Sequence, residues 1–184
     1  MFTDYLIAVF PLVAVVSALA CLPVWLYHRV RRQPRPFLRY VTLFAFTGCC
    51  LSLLYLTILW YYPYISFHPD YYFWNLIPFV WIRETYSMGA GKMAVQLLLN
   101  IAMFVPYGLL LPMVFARLRR ALPALLTVLA TTCTIEILQF FLGRSADIDD
   151  VIMNFLGGAL GFLLFCGANR LLQNRRWWNS LLAN

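Results

Sequence analysis

Hydrophobic positions fall into five long runs along this chain, each broken from the next by a short polar or charged segment. Residues 5–27, 40–62 and 93–116 carry no charge, and two amides interrupt the third run. Residues 121–142 contain a single charge, Glu136. Residues 151–168 are shorter, but a polar stretch compatible with a helix leads into them. A helix rises about 1.5 Å per residue, so about 20 apolar residues cross the roughly 30 Å hydrocarbon core. The pattern predicts an all-α fold, a polytopic bundle of five transmembrane helices.

Composition agrees with that pattern. The chain has 184 residues, of which 63% are hydrophobic and 11% charged, and its mean hydropathy is +0.77. Soluble domains are about 45–50% apolar and about 25% charged, and a chain of this length would have more apolar surface than a water-soluble core could bury. A soluble enzyme, a secreted disulfide scaffold and a disordered tail are therefore excluded.

Charge then gives the direction of insertion. There are 14 Lys and Arg against 7 Asp and Glu. Five arginines lie in 28–39, three in 117–120 and three more at Arg170, Arg175 and Arg176, with no acid among them. These arginines flank apolar runs, which fits membrane orientation and not nucleic acid. The positive-inside rule makes the three segments cytoplasmic, with the N-terminus outside and the C-terminus inside. A signal peptide carries its positive charge before its apolar region; here the charge follows, so the first run is expected to stay as a span.

The organisation expected is thus two N-terminal helices with a basic loop (1–62), an external loop (63–92), a three-helix core (93–168) and a basic cytoplasmic tail (169–184). The external loop is crowded with Tyr64, Phe67, Tyr71, Tyr72, Phe73, Trp74, Phe79, Trp81 and Tyr86. Such rings form an interfacial belt, or a platform that receives a lipid-like ligand. The five cysteines (Cys21, Cys49, Cys50, Cys133 and Cys166) all fall within spans and read as small core residues.

Polar residues inside the spans are the informative ones. At 100° per residue, Gln96, Asn100, Met103 and Tyr107 fall within roughly 60° on the third helix. Thr132, Glu136, Gln139 and Gly143 do the same on the fourth. On the fifth, Asp147, Asp150, Asn154, Gly157, Gly158 and Gly161 share a stripe of about 100°, while Asp149 points elsewhere. Asn100 and Glu136 each lie roughly 10 Å below the outer boundary. Three helices are therefore expected to converge on one polar pocket in the outer leaflet. A carboxylate at the bilayer centre costs about 2.5–3.5 kcal/mol, which makes function the default explanation; the alternative is that Glu136 only joins helices by hydrogen bonds. The glycines at 157, 158 and 161 are expected to let a neighbouring helix approach closely.

The segment 143–150 holds Arg144, Asp147, Asp149 and Asp150. Acids at a helix N-terminus cap it and suit its dipole, but three together repel unless Arg144 or a cation offsets them. No Walker-type loop, GxSxG or HExxH is present, and His28 and His68 are expected on opposite sides of the membrane.

The stretches NLIPF (75–79), NIAMFVPYG (100–108), TIEILQ (134–139) and GRSADIDDVIMNFLGGALG (143–161) together resemble the VanZ-like family, over about half of the chain. The resemblance implies a functional set of Asn75, Pro78, Asn100, Pro106, Gly108, Glu136, Gln139, Arg144, Asp147, Asp150 and Asn154. It also implies a role in the bacterial envelope linked to tolerance of teicoplanin and related glycopeptides. With no complete catalytic motif, a binding role is favoured. The pocket would hold an amphiphile, either a cell-wall precursor lipid or a lipoglycopeptide, through Asn75, Asn100, Glu136, Gln139, Arg144, Asp147, Asp150 and Asn154. No cofactor is required for that. The alternative is an intramembrane enzyme acting on a lipid headgroup or envelope polymer. Glu136, Asp147 and Asp150 would be its acids and bases, or Asp147, Asp150 and Asn154 would hold Mg²⁺ or Ca²⁺. The oligomeric state is left open.

Overall fold

The computed structural model describes residues 9–60, 74–80 and 89–182. Its helices are α1 (Phe10–Val30), α2 (Phe37–Thr57), α3 (Ala90–Val114), α4 (Ala121–Phe141), α5 (Ile148–Leu172) and α6 (Arg176–Leu182). Two short strands, β1 (Trp74–Asn75) and β2 (Ala146–Asp147), pair in parallel. The first five helices are each long and apolar enough to cross a membrane. Of the loop aromatics, Trp74 and Phe79 are described; Tyr64, Phe67, Tyr71, Tyr72, Phe73, Trp81 and Tyr86, and with them His68, lie outside the described residues.

Helix ends differ from the apolar runs where a cap decides them. Pro36, at φ −57° and ψ 144°, starts α2 three residues before the uncharged run begins. Asp147 caps α5 by accepting from the Asp149 N–H at 2.9 Å, so this helix takes in the polar stretch ahead of its apolar run. Both Pro106 and Pro112 sit inside α3 without ending it. A transmembrane helix tolerates such prolines; the Pro112 carbonyl, one of those left over at the end of α3, accepts from Arg119 Nε at 3.2 Å.

The most extensive helix contact is α3 against α5. Apolar burial cannot drive helix association in lipid, so close backbone packing must. A Cβ at Gly108 would collide with the Gly158 carbonyl, one at Gly157 with the Ile101 carbonyl, and one at Gly161 with the Val105 carbonyl. Two apolar clusters accompany these contacts. One gathers Leu53, Phe104, Tyr107, Leu111, Val128 and Ile135; the other gathers Met113, Ala124, Phe162, Phe165, Trp178 and Leu182. Tyr107 and Thr131 share a hydrogen bond of 2.9 Å that ties α3 to α4. Leucines such as Leu12, Leu122, Leu163 and Leu171 face outward, as lipid contact allows.

The C-terminal segment is more than a basic tail. α5 runs on to Leu172, and α6 folds back so that Trp178 and Leu182 are buried. Their i, i+4 spacing puts both on one face. Trp178 Nε1 donates to Asn169 Oδ1 at 2.9 Å, Thr42 Oγ1 donates to the Leu181 carbonyl at 3.1 Å, and Arg119 Nη2 donates to the Leu182 carbonyl at 2.9 Å. Arg39 is buried nearby and caps α3, with its guanidinium donating to the Met113 and Val114 carbonyls at 2.8 and 2.7 Å. Two of the arginines that set charge asymmetry thus also close the basic end of the bundle.

Candidate functional site: a polar layer at the other end

At the end of the bundle opposite Arg39, α4 stops at Phe141 in a left-handed turn. Gly143 has φ 81°, and its N–H donates to the Phe140 carbonyl at 3.1 Å while the Arg144 N–H donates to the Gln139 carbonyl at 3.0 Å. This Schellman arrangement needs a residue that tolerates positive φ, which glycine does. It turns Arg144 back over the helix end. There Arg144 Nη1 and Gln139 Nε2 both donate to the Thr57 carbonyl, at 3.3 and 2.9 Å. That carbonyl is available because α2 ends at Thr57.

Asp147 is the hub of the layer. Its N–H donates to Glu136 Oε2 at 3.0 Å, and its Oδ1 accepts from Asn75 Nδ2 at 3.2 Å as well as from the Asp149 N–H. The strand register sets Asn75 opposite Asp147 and Trp74 opposite Ala146. Trp74 packs on Phe140 with ring centroids 4.1 Å apart. Asp149 makes its contact elsewhere, with the turn after β1. It is buried, and its Oδ1 accepts from the Phe79 N–H at 2.6 Å. Phe79 has φ 66° in this turn.

The third helix enters through Asn100, whose Nδ2 donates to Asp150 Oδ1. Gly158 on α5 abuts Val128 on α4. Because α4 and α5 run antiparallel, one turn outward on each brings Thr132 beside Asn154, and another turn brings Glu136 beside Asp150. Glu136 and Asp150 are near enough to repel, and Arg144 offsets both. Thr132, Glu136, Gln139 and Asn154 are all buried. Three of their atoms, Thr132 Oγ1, Gln139 Oε1 and Asn154 Oδ1, are buried with no hydrogen-bond partner.

Of the residues expected at the site, Asn75, Asn100, Glu136, Gln139, Arg144, Asp147, Asp150 and Asn154 all lie in this layer or border it. Gln96 is exposed, near the start of α3. Gly108 is a packing residue, Pro106 lines an apolar cleft towards α1 and α2, and Pro78 sits in the turn after β1. The three clustered aspartates are separated by donors: Asp147 takes Asn75 and its own cap, Asp149 takes Phe79, and Asp150 takes Asn100. Among the described residues, no three His, Cys, Asp or Glu gather in a way that could hold a metal ion. Two contributors carried no signal of their own or were set aside. Thr57 acts through a backbone carbonyl, and Asp149 lies off the helical stripe; a third carboxylate beyond the needs of capping was its one trace.

A family model described as VanZ-LLP1 (VanZ/LLP1) matches residues 43–172, and so takes in α2 and its Thr57 carbonyl. The chain is 38% identical over 78 residues to Protein VanZ of Enterococcus faecium, across 42% of this chain and 48% of that protein. It thus spans about half the length of the curated relative it matches. No solved structure matches. With the family model covering most of α2 and all of the polar layer, the chain belongs to the VanZ/LLP1 family, as a multi-pass membrane protein.

Proposed function

We propose that the polar layer binds the headgroup of an amphiphile at the outer face of a bacterial cytoplasmic membrane, and that this binding underlies tolerance of teicoplanin-type glycopeptides. The ligand class is a cell-wall precursor lipid or a lipoglycopeptide. The observation that carries this reading is the set of buried atoms without partners, Thr132 Oγ1, Gln139 Oε1 and Asn154 Oδ1, on the same helices as Glu136 and Asp150. The two amide oxygens and the carboxylates are acceptors, so a sugar hydroxyl or amide N–H would satisfy them. Arg144 adds the positive charge that a phosphate or carboxylate on the same headgroup would meet. Exposed Trp74, Leu76, Ile77 and Phe79, held over the layer by β1–β2, offer apolar surface for an acyl chain. Teicoplanin carries such a chain and vancomycin does not.

The test is a susceptibility measurement in a sensitive Gram-positive host, with wild type and Glu136→Gln at matched membrane levels. Teicoplanin is titrated with vancomycin as the control. Protection against teicoplanin alone, lost in the variant, is the expected result. A wild-type chain that gives no protection removes tolerance from the function, and equal protection by the variant removes Glu136 from the binding site.

A further inference from the structure

The turn between α1 and α2 concentrates Arg29, Arg31, Arg32 and Arg35. No acidic residue occurs in the sequence between Asp4 and Asp70. Arg39 beside them is answered by carbonyls, but Arg29 and Arg32 meet no carboxylate among the described residues. Their charge must be balanced from outside the protein. We propose that the cleft between these side chains is a second binding site, for the phosphate headgroup of an anionic glycerophospholipid.

Shape, position and charge support that ligand. A cavity of about 430 Å³ is lined by Trp25, Arg29, Arg32, Pro34, Arg35 and Tyr40. The Arg29 guanidinium lies 5.0 Å from the centre of the Trp25 ring, which holds its planar fork at one wall. Tyr40 is held by a 3.3 Å hydrogen bond to His28 Nδ1. Arg32 sits where α1 ends in a Schellman turn: its N–H donates to the Arg29 carbonyl at 3.1 Å, and the Gln33 N–H donates to the His28 carbonyl at 3.0 Å. This is the position Gly143 fills after α4, yet here an arginine adopts φ 54°. That position is usually glycine because a Cβ strains it, and the arginine gives the cleft a second guanidinium in exchange.

The surroundings separate a lipid from a free anion. Val30 and Phe37, on either side of the turn, are both 79% exposed. Apolar side chains this exposed lie at the hydrocarbon boundary, and Trp25, Tyr27 and Tyr40 mark the same level. Lipid phosphates occupy that depth. A free phosphate would meet the same arginines without apolar contact for Val30 and Phe37. The site is at the opposite end of the bundle from the Glu136 layer, so it stands independently of the function proposed above.

Full-length protein, purified in detergent and incubated with equal amounts of phosphatidylglycerol and phosphatidylcholine, tests the proposal through native mass spectrometry of retained lipid. Each arginine near an anionic surface is worth about fivefold, so Arg29→Gln with Arg32→Gln is expected to lower phosphatidylglycerol retention by about twenty-five-fold. Arg117→Gln with Arg120→Gln, in the exposed loop before α4, is expected to leave it unchanged. Both pairs are exposed, and elution as a single species checks folding. Equal retention of the two lipids by wild type overturns the proposal. So does undiminished retention by the first double variant, or an equal loss in the second, which would mean a diffuse field. Displacement of the lipid by an equal concentration of inorganic phosphate would assign the cleft to free anions and overturn the lipid.

Discussion

Glu136 Oε2 accepts the backbone N–H of Asp147 at 3.0 Å, so the one charge within the fourth apolar run is fixed to the cap of the helix that follows it. The bond joins the end of α4 to the start of α5 across the tight segment between them. Glu136 consequently has two separable properties, an acceptor oxygen and a negative charge. Glu136→Gln keeps the first and removes the second, whereas Glu136→Ala removes both and leaves the Asp147 N–H without its partner. The alanine variant is expected to lose about 1–3 kcal/mol of stability and the glutamine variant much less. Thermal unfolding in one detergent at fixed concentration measures the difference. Equal losses would mean that the charge, and not the hydrogen bond, holds the two helices.

Asp149 predicts a local effect. Its carboxylate accepts the Phe79 N–H at 2.6 Å, and with β1–β2 it fastens the segment 74–80 to α5. Asp149→Ala is expected to speed hydrogen exchange at the Phe79 amide by at least tenfold, since the bond to a charged acceptor is worth about 1.5–3 kcal/mol. Amides in the middle of α5 are expected to keep their protection. Exchange measured by mass spectrometry on peptides covering 74–80 decides it, and unchanged exchange there would show that strand pairing alone anchors the loop.

These two residues mark how far the amino-acid sequence can be read. Glu136, Asn100 and Asp150 converge as helical periodicity and depth require, because a side chain's direction on a long helix follows from its position. Asp149 lies in the first turn of α5, where a side chain can reach a loop as readily as a helix, and its partner is a backbone N–H. Thr57 is less legible still, since any residue at the end of α2 would present the same carbonyl to Gln139 and Arg144. The burial of α6 was hidden for another reason: Arg170, Arg175 and Arg176 mark a solvated tail, while the docking depends on Trp178 and Leu182 seven residues from Arg175 at most.

Close packing of α3 on α5 makes a sharp contrast among glycines. A Cβ at Gly108 or Gly161 would strike the backbone of the facing helix, whereas one at Gly167 would meet nothing within 4 Å. Gly108→Val and Gly161→Val are expected to abolish a folded, monodisperse species, because backbone cannot move aside as a flexible side chain can. Gly167→Ala is expected to stabilise by about 0.5–1 kcal/mol through helix propensity. Size-exclusion chromatography with thermal unfolding tests all three. A well-behaved Gly108→Val protein would mean that α3 and α5 are not in backbone contact.

Arg39 gives a test of the basic end. Its two terminal nitrogens reach the Met113 and Val114 carbonyls at once, a geometry that a single ammonium cannot reproduce. Arg39→Lys is therefore expected to cost about 1.5–3 kcal/mol despite conserving charge. Arg31→Lys, at an exposed position, is expected to stay within about 0.5 kcal/mol of wild type. Thermal unfolding of the two variants side by side makes the comparison, and equal stability would remove the capping role of Arg39.

Orientation follows from where the remaining arginines lie. Arg39 and Arg119 are engaged with carbonyls, but Arg29, Arg31, Arg32, Arg117, Arg120, Arg170, Arg175 and Arg176 still gather at one end of the bundle, opposite Glu136 and Asp147. Since moving charged loops across the bilayer is costly, we propose that this end is the cytoplasmic one. A green fluorescent protein fused after residue 184 is expected to fluoresce, and alkaline phosphatase fused there to be inactive. Phosphatase inserted after Ile77, in the loop beside the polar layer, is expected to be active. The reverse pattern would put Glu136, Asp147 and Asp150 on the cytoplasmic side, where an extracellular glycopeptide could not reach them, and would overturn both the orientation and the ligand proposed for that layer.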